Sequence, residues 1–88
     1  MVFIERWSIR EVENGNRHFV GFNIAEQDGR VSTPIVSFDW QSRIGTTSSG
    51  RQYRLLGKAG YDKDAEYVCS RVVGAWMTGS WRDVTPEI

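Results

Sequence analysis

The sequence predicts an α+β fold: an antiparallel sheet of four to five strands with one C-terminal helix packed on one face. Three observations predict it. Apolar side chains recur in twos through residues 2–56, Asn-Gly and Asp-Gly dipeptides punctuate that alternation, and after Asp62 the apolar spacing changes to that of a helix. At 88 residues the chain suits a single domain, 1–88, with a thin core.

The first strand is expected over residues 2–12. Counting in twos, Phe3, Trp7 and Ile9 share one face, and Arg6, Ser8 and Arg10 the other. Asn14-Gly15 then predicts a type I′ hairpin turn, which needs φ > 0 at both central residues. Residues 17–26 form the return strand, with Val20, Phe22 and Ile24 opposite Phe19, Gly21 and Asn23. Asp28-Gly29 predicts a second turn. In the following strand Val36, Phe38 and Trp40 alternate with Ser37, Asp39 and Gln41. Pro34 has no N–H for a ladder and marks that strand's start or a sheet edge. Residues 44–50 begin β-branched and end as a loop. Residues 51–56 form a strand with Tyr53 and Leu55 on one face and Gln52, Arg54 and Leu56 on the other.

Asp62 is a good N-cap, and Asp64 and Glu66 suit the positive end of a helix dipole. Ala65, Val68, Cys69, Val72, Val73 and Trp76 then fall on one helical stripe, for a helix of about fifteen residues. Gly79 ends it, and Trp81 to Val84 could add a short strand. Trp7, Trp40 and Trp76 are expected in the core; Trp81 either caps the core or anchors a partner.

The stretch Ser48-Ser49-Gly50-Arg51-Gln52-Tyr53-Arg54-Leu55, then Gly60-Tyr61-Asp62, then Asp64-Ala65-Glu66-Tyr67-Val68 resembles short bacterial proteins of no established activity. The match covers roughly a quarter of the chain and consists of turn glycines, a helix cap and core positions. It implies a shared fold and a bacterial or phage origin, and it carries no activity over.

Charge narrows the classes of function. Eleven basic and eleven acidic side chains cancel, which argues against a histone-like polycation or an acidic nucleic-acid mimic. The placement is uneven. Residues 1–39 carry four basic and six acidic groups, net −2; residues 62–88 carry three and five, net −2. Between them Arg43, Arg51, Arg54 and Lys58 stand with no acid at all, net +4. On the strand reading, Arg6, Arg10, Arg17, Phe19 and Arg54 also point away from the helix onto an open sheet face. Basic side chains beside an exposed aromatic suit a solvated face with cross-strand ion pairs, a protein interface or single-stranded nucleic acid.

Other chemistries find little support. Cys69 and His18 are the single cysteine and histidine, so a disulfide, a cysteine zinc site and a two-histidine metal motif are not expected. Cys69 on the apolar stripe reads as core and His18 as rim, so no catalytic residue is assigned. Asp62, Asp64 and Glu66 lack the spacing of a calcium loop, and capping explains them. No phosphate-binding glycine fingerprint occurs, so no cofactor is expected. No apolar run reaches the ~20 residues of a membrane helix, and no leader-like segment opens the chain.

These readings point to a small non-catalytic binding protein acting in the cytoplasm through a protein interface, with a protein partner or a copy of itself. A phage or mobile-element modulator of a host complex is one concrete form. Nucleic-acid binding through the Arg-rich face is the alternative, and a small enzyme the third reading. The candidate surface comprises Arg6, Arg10, Arg17, Phe19, Arg43, Arg51, Arg54, Lys58 and Trp81.

Overall fold

The first strand spans all the positions the sequence assigns to it, 2–12, and three other strands pair with it. A computed structural model describes residues 1–75 and 81–85; the side chains of 72–75 lie outside that description. The elements are β1 (Val2–Val12), β2 (Arg17–Asn23), β3 (Asp28–Val31), β4 (Ile35–Asp39), β5 (Ile44–Thr47), β6 (Gln52–Leu55), α1 (Lys63–Ala75) and β7 (Trp81–Asp83). The expectation of four to five antiparallel strands is therefore corrected: the described residues form mostly sheet, seven strands with one short helix. The strand order is β3-β2-β1-β6-β5-β4, with β7 paired to β1. The sheet is mixed, because β1 pairs with β6 in parallel.

Long β1 serves three neighbours. One edge takes β2 along its length; the other takes β6 at Val2–Ile4 and β7 at Arg10–Val12. Local alternation carries no information about the β1–β6 pairing, since about fifty residues lie between partners.

A bulge decides which side chains β1 buries. Between Glu5, opposite Phe22, and Ser8, opposite Val20, β1 advances three residues while β2 advances two. Arg6 takes up the extra residue with φ at 47°. The facing of the strand inverts there, so Ile4, Trp7 and Ile9 share the core and Phe3 is left 39% exposed. The period-two reading of Phe3 with Trp7 and Ile9 fails for that reason.

The sheet curls around this core. Ile4, Trp7, Ile9, Phe19, Tyr53, Leu55 and Val84 are buried together. Phe19 of β2 meets Phe38 of β4 with ring centroids 5.8 Å apart, although three strands separate β2 from β4. Gly45 lets this happen, because a Cβ there would lie 2.3 Å from Phe19 Cζ. The Phe19 side of β2, expected to stand open to solvent, is thus the inside of the curl, and Phe19 is core rather than a surface ring.

Helix α1 covers the outer face of β2 and β3. Asp62 caps it as expected: its Oδ2 accepts the Ala65 N–H at 3.0 Å. Ala65 and Cys69 pack on Val20 and Val31 as a second, smaller core. The expected Trp76 and Gly79, and the side chains of Val72 and Val73, fall outside the described residues. Both faces of β2 are consequently buried, and His18, read as rim, is interior with its Nδ1 2.8 Å from Ser32 O.

Two turns differ from expectation. Gly15 alone in the first loop has positive φ, at 90°, and its N–H donates to Val12 O. This is a three-residue hairpin loop with glycine in the left-handed position rather than a type I′ turn. Asp28 and Gly29 lie within β3; the turn precedes them and ends at Gln27, φ 53°. In β4 a second bulge, between Ile35 and Ser37, leaves Val36 65% exposed, and Trp40 is 43% exposed rather than core.

Candidate functional site

Local alternation positions the basic hairpin β5–β6. Tyr53 and Leu55 turn inward, which forces Gln52 and Arg54 outward. The connecting turn is closed by Gly50, φ 84°, whose N–H donates to Thr47 O at 2.8 Å. The Thr47 N–H and hydroxyl both donate to Arg51 O, at 3.0 and 3.2 Å. Ser48 N–H donates to Pro34 O, fastening the turn to the segment before β4. Arg51, Arg54 and Lys58 are all exposed on this hairpin and the connection after it. Register places Phe3, Arg54, Ile44 and Asp39 side by side on the half of the outer face that α1 does not cover.

The other predicted residues are separated from this group. Arg6 does not face away from the helix: its Nε and Nη2 donate to Asp62 Oδ1, at 3.2 and 3.0 Å, and its Nη1 to Glu5 at 3.0 Å. Arg10 is not on an open face either, being 2% exposed beneath α1. Its guanidinium pairs with Glu66, lies 3.7 Å from Cys69 Sγ and sits 4.2 Å from the Trp81 ring centroid. Burial disfavours that charge and Glu66 more than restores it, so Arg10 holds its proton above the usual guanidinium range. Arg17 pairs with Glu11 at 3.0 Å, and Arg82 approaches the same carboxylate at 3.4 Å. The hydrogen bond from Arg17 holds the Glu11 carboxyl below its usual range. Arg43 donates to Gly57 O at 2.6 Å. Trp81 lies in β7, half exposed, over Arg10.

Two concavities adjoin these elements. A groove of about 370 Å³ runs between the β1–β2 loop and β4, lined by Asn16, Arg17, Val36, Phe38 and Trp40 among others. A hollow of about 400 Å³ lies between Tyr61, Asp83 and Ser8. Neither contains Cys69 or His18. Cys69 is buried, and burial pushes its thiol up from the ordinary range while Arg10 opposes the shift. A thiol so placed is a poor nucleophile at neutral pH. The folded protein is expected to react slowly with a soluble thiol reagent, and the denatured protein fast. Rapid stoichiometric labelling of the folded form, followed by mass, would contradict this placement. Among the described residues no group of three or more His, Cys, Asp or Glu could hold a metal ion, and no helix is long and apolar enough to cross a membrane.

Sequence reasoning missed the Arg10–Glu66–Trp81 cluster because its members come from β1, α1 and β7. One signal was present: Glu66 lies beside Ala65 and Cys69 at the margin of the apolar stripe, where an inward carboxylate needs a cation. No family model, curated protein or solved structure matches the chain.

Proposed function

We propose that the protein is a small non-catalytic binding protein that docks its β5–β6 hairpin on an acidic protein partner. One observation carries the reading. Arg6, Arg10, Arg17 and Arg82 are ion-paired, and Arg30, Arg43 and Arg71 donate to Tyr53 Oη, Gly57 O and Tyr67 Oη. Among the described residues Arg51 and Arg54 are the two arginines with no side-chain partner. Both sit on the β5–β6 hairpin, which carries no acid of its own, and the nearby Asp39 of β4 accepts from Ser42 Oγ and the Gln41 N–H rather than from either guanidinium. Exposed guanidinium forks without counter-charges favour carboxylates from another molecule. A cytoplasmic, reducing setting suits the lone buried thiol.

Phe3 beside Arg54 favours a second reading, a single nucleic-acid strand stacking a base on the ring. Salt separates the two, because phosphate contacts release counterions and lose affinity steeply as salt rises.

The test is a pull-down from host lysate with and without nuclease, followed by affinity measurement on the captured partner. Arg51→Glu with Arg54→Glu is expected to weaken binding by about tenfold or more, since attraction becomes repulsion at the contact. Each change should alter folding stability by no more than about 0.5 kcal/mol. Equal affinity of wild type and double mutant at low and high salt would remove this surface. Capture abolished by nuclease would favour the second reading.

A further inference from the structure

The hollow lined by Ser8, Ala59, Gly60, Tyr61, Asp83 and Thr85 holds two polar groups that the fold leaves unused. Backbone fixes its walls: the Gly60 N–H donates to Trp7 O and the Val84 N–H to Ile9 O, each at 2.9 Å. Asp83 forms one rim. Its Oδ1 accepts from the Thr85 N–H at 2.9 Å and from the Thr85 hydroxyl at 2.6 Å, and that hydroxyl accepts from the Ile9 N–H at 3.0 Å. Its Oδ2 has only Tyr61 Oη, at 3.5 Å, the long limit of a hydrogen bond. Ser8 lines the same hollow at 3% exposed, and its hydroxyl has no hydrogen-bond partner among the described residues. A buried hydroxyl without a partner costs stability, so one that opens on a hollow points to a polar group from outside the chain.

We infer that this hollow binds a primary alkylammonium group. Charge complementarity comes from Asp83, which has no cation among the described residues, whereas Glu66 has Arg10, Asp62 has Arg6, and Glu11 has Arg17 and Arg82. The Asp83 and Ser8 oxygens both accept, and an ammonium brings three donors and no acceptor. Tyr61, 68% exposed, offers its ring as a wall to a cation. Arg10 lies 5.8 Å from that ring's centroid, and Glu66 rather than Asp83 answers its charge. Ala59 and Gly60 leave the rest of the lining apolar and small, which suits a short alkyl stem. A volume of about 400 Å³ admits a four-carbon amine, free or as the side chain of a lysine. A carboxylate ligand would be repelled by Asp83, and a neutral alcohol would leave its charge unanswered.

The experiment is a titration of the purified full chain followed by amide chemical shifts, with n-butylammonium chloride compared against sodium chloride at equal ionic strength. Butylammonium is expected to shift residues 8, 59–61 and 83–85 saturably, with a dissociation constant on the order of 1–10 mM. 1-Butanol and butyrate are expected to bind at least about tenfold more weakly. Nα-acetyl-lysine amide separates the two sources of the group: tighter binding than butylammonium assigns the hollow to a lysine side chain, equal or weaker binding to a free amine. Asp83→Asn keeps an oxygen for both Thr85 donors and turns an N–H towards the ligand, so the strand end should hold while affinity falls by about tenfold or more. Ser8→Ala removes a hydroxyl that the fold does not use, and should lower affinity by about threefold without lowering the melting temperature. No saturable shift with butylammonium overturns the inference. So does an equal response to 1-butanol, or unchanged affinity in folded Asp83→Asn or in Ser8→Ala. None of these measurements involves Arg51 or Arg54, so failure here is distinct from failure of the hairpin docking.

Discussion

Gly29→Ala is expected to release the start of helix α1 from the sheet, with the largest stability loss of any single methyl added to this fold. Gly29 faces the first turn of α1 from β3. A Cβ built there lies 2.2 Å from Asp64 C, 2.3 Å from Ala65 N and 2.4 Å from Asp64 O. All three are helix backbone, so no rotamer change relieves the collision. Either β3 or the helix must move. That motion opens the small core of Val20, Ala65 and Cys69 and disturbs the Asp62 cap, whose donor is the same Ala65 N–H. Overpacking of a mobile side chain costs about 1–3 kcal/mol, and a backbone collision belongs at or above the top of that range. A domain of this size has about 5–15 kcal/mol in total. Gly50→Ala is the comparison: φ there is 84°, but nothing lies within 4 Å of the added carbon. Its cost is backbone strain alone, about 1 kcal/mol. Denaturant midpoints rank the two, and thiol labelling of Cys69 reports whether the helix has lifted. Equal midpoints with Cys69 still protected would mean that α1 does not dock on β3 at Gly29.

The contrast between these glycines also shows what a linear sequence conveys. Gly50 and Gly15 declare themselves, because a turn needs left-handed backbone and the neighbouring residues say where the turn is. Gly29 reads as the same signal, an Asp-Gly turn, yet its function is close approach to a helix thirty-five residues later. β6 was legible because it has one buried and one exposed face, so Tyr53 and Leu55 fix Arg54 outward. The cap at Asp62 and the short strand at Trp81 were legible for similarly local reasons. β2 was legible as the return strand with Val20 and Phe19 on opposite faces, but its alternation could not show that both faces are covered, by α1 on one side and core on the other. β1 was misread through a bulge, which leaves no mark in composition and inverts every side chain beyond it, whereas in β4 Phe38 and Trp40 keep the expected common face and only the exposure of Val36 and Trp40 was missed. Thus Arg51, Arg54 and Lys58 were placed correctly as exposed cations, while Arg6 and Arg10 were assigned to the same surface although they pair with Asp62 and Glu66 at the start of α1.

Glu66→Ala is expected to cost far more than Arg10→Met, although both break the same ion pair. The asymmetry follows from burial. The Arg10 side chain is 2% exposed and that of Glu66 38%. Removing Glu66 takes the one carboxylate from a cation otherwise surrounded by a thiol and the ring faces of Trp81 and Tyr61. Arg10 Nε already lacks a partner, so the cluster has no spare acceptor to offer. Orphaning a buried charge in this way costs about 3–5 kcal/mol, with the ring contacts returning about 1–2 kcal/mol. Removing Arg10 leaves a carboxylate that rehydrates at the helix surface, and methionine fills most of the space under Trp81. That change should cost less than about 1.5 kcal/mol. The double mutant, Glu66→Ala with Arg10→Met, should recover most of the stability lost in Glu66→Ala alone, a coupling well above the ~0.5 kcal/mol scatter of independent sites. Thermal or urea unfolding of the four proteins measures it. Additive losses, or Arg10→Met as damaging as Glu66→Ala, would mean that Arg10 is hydrated and that the helix is not anchored to β1 and β7 through its charge.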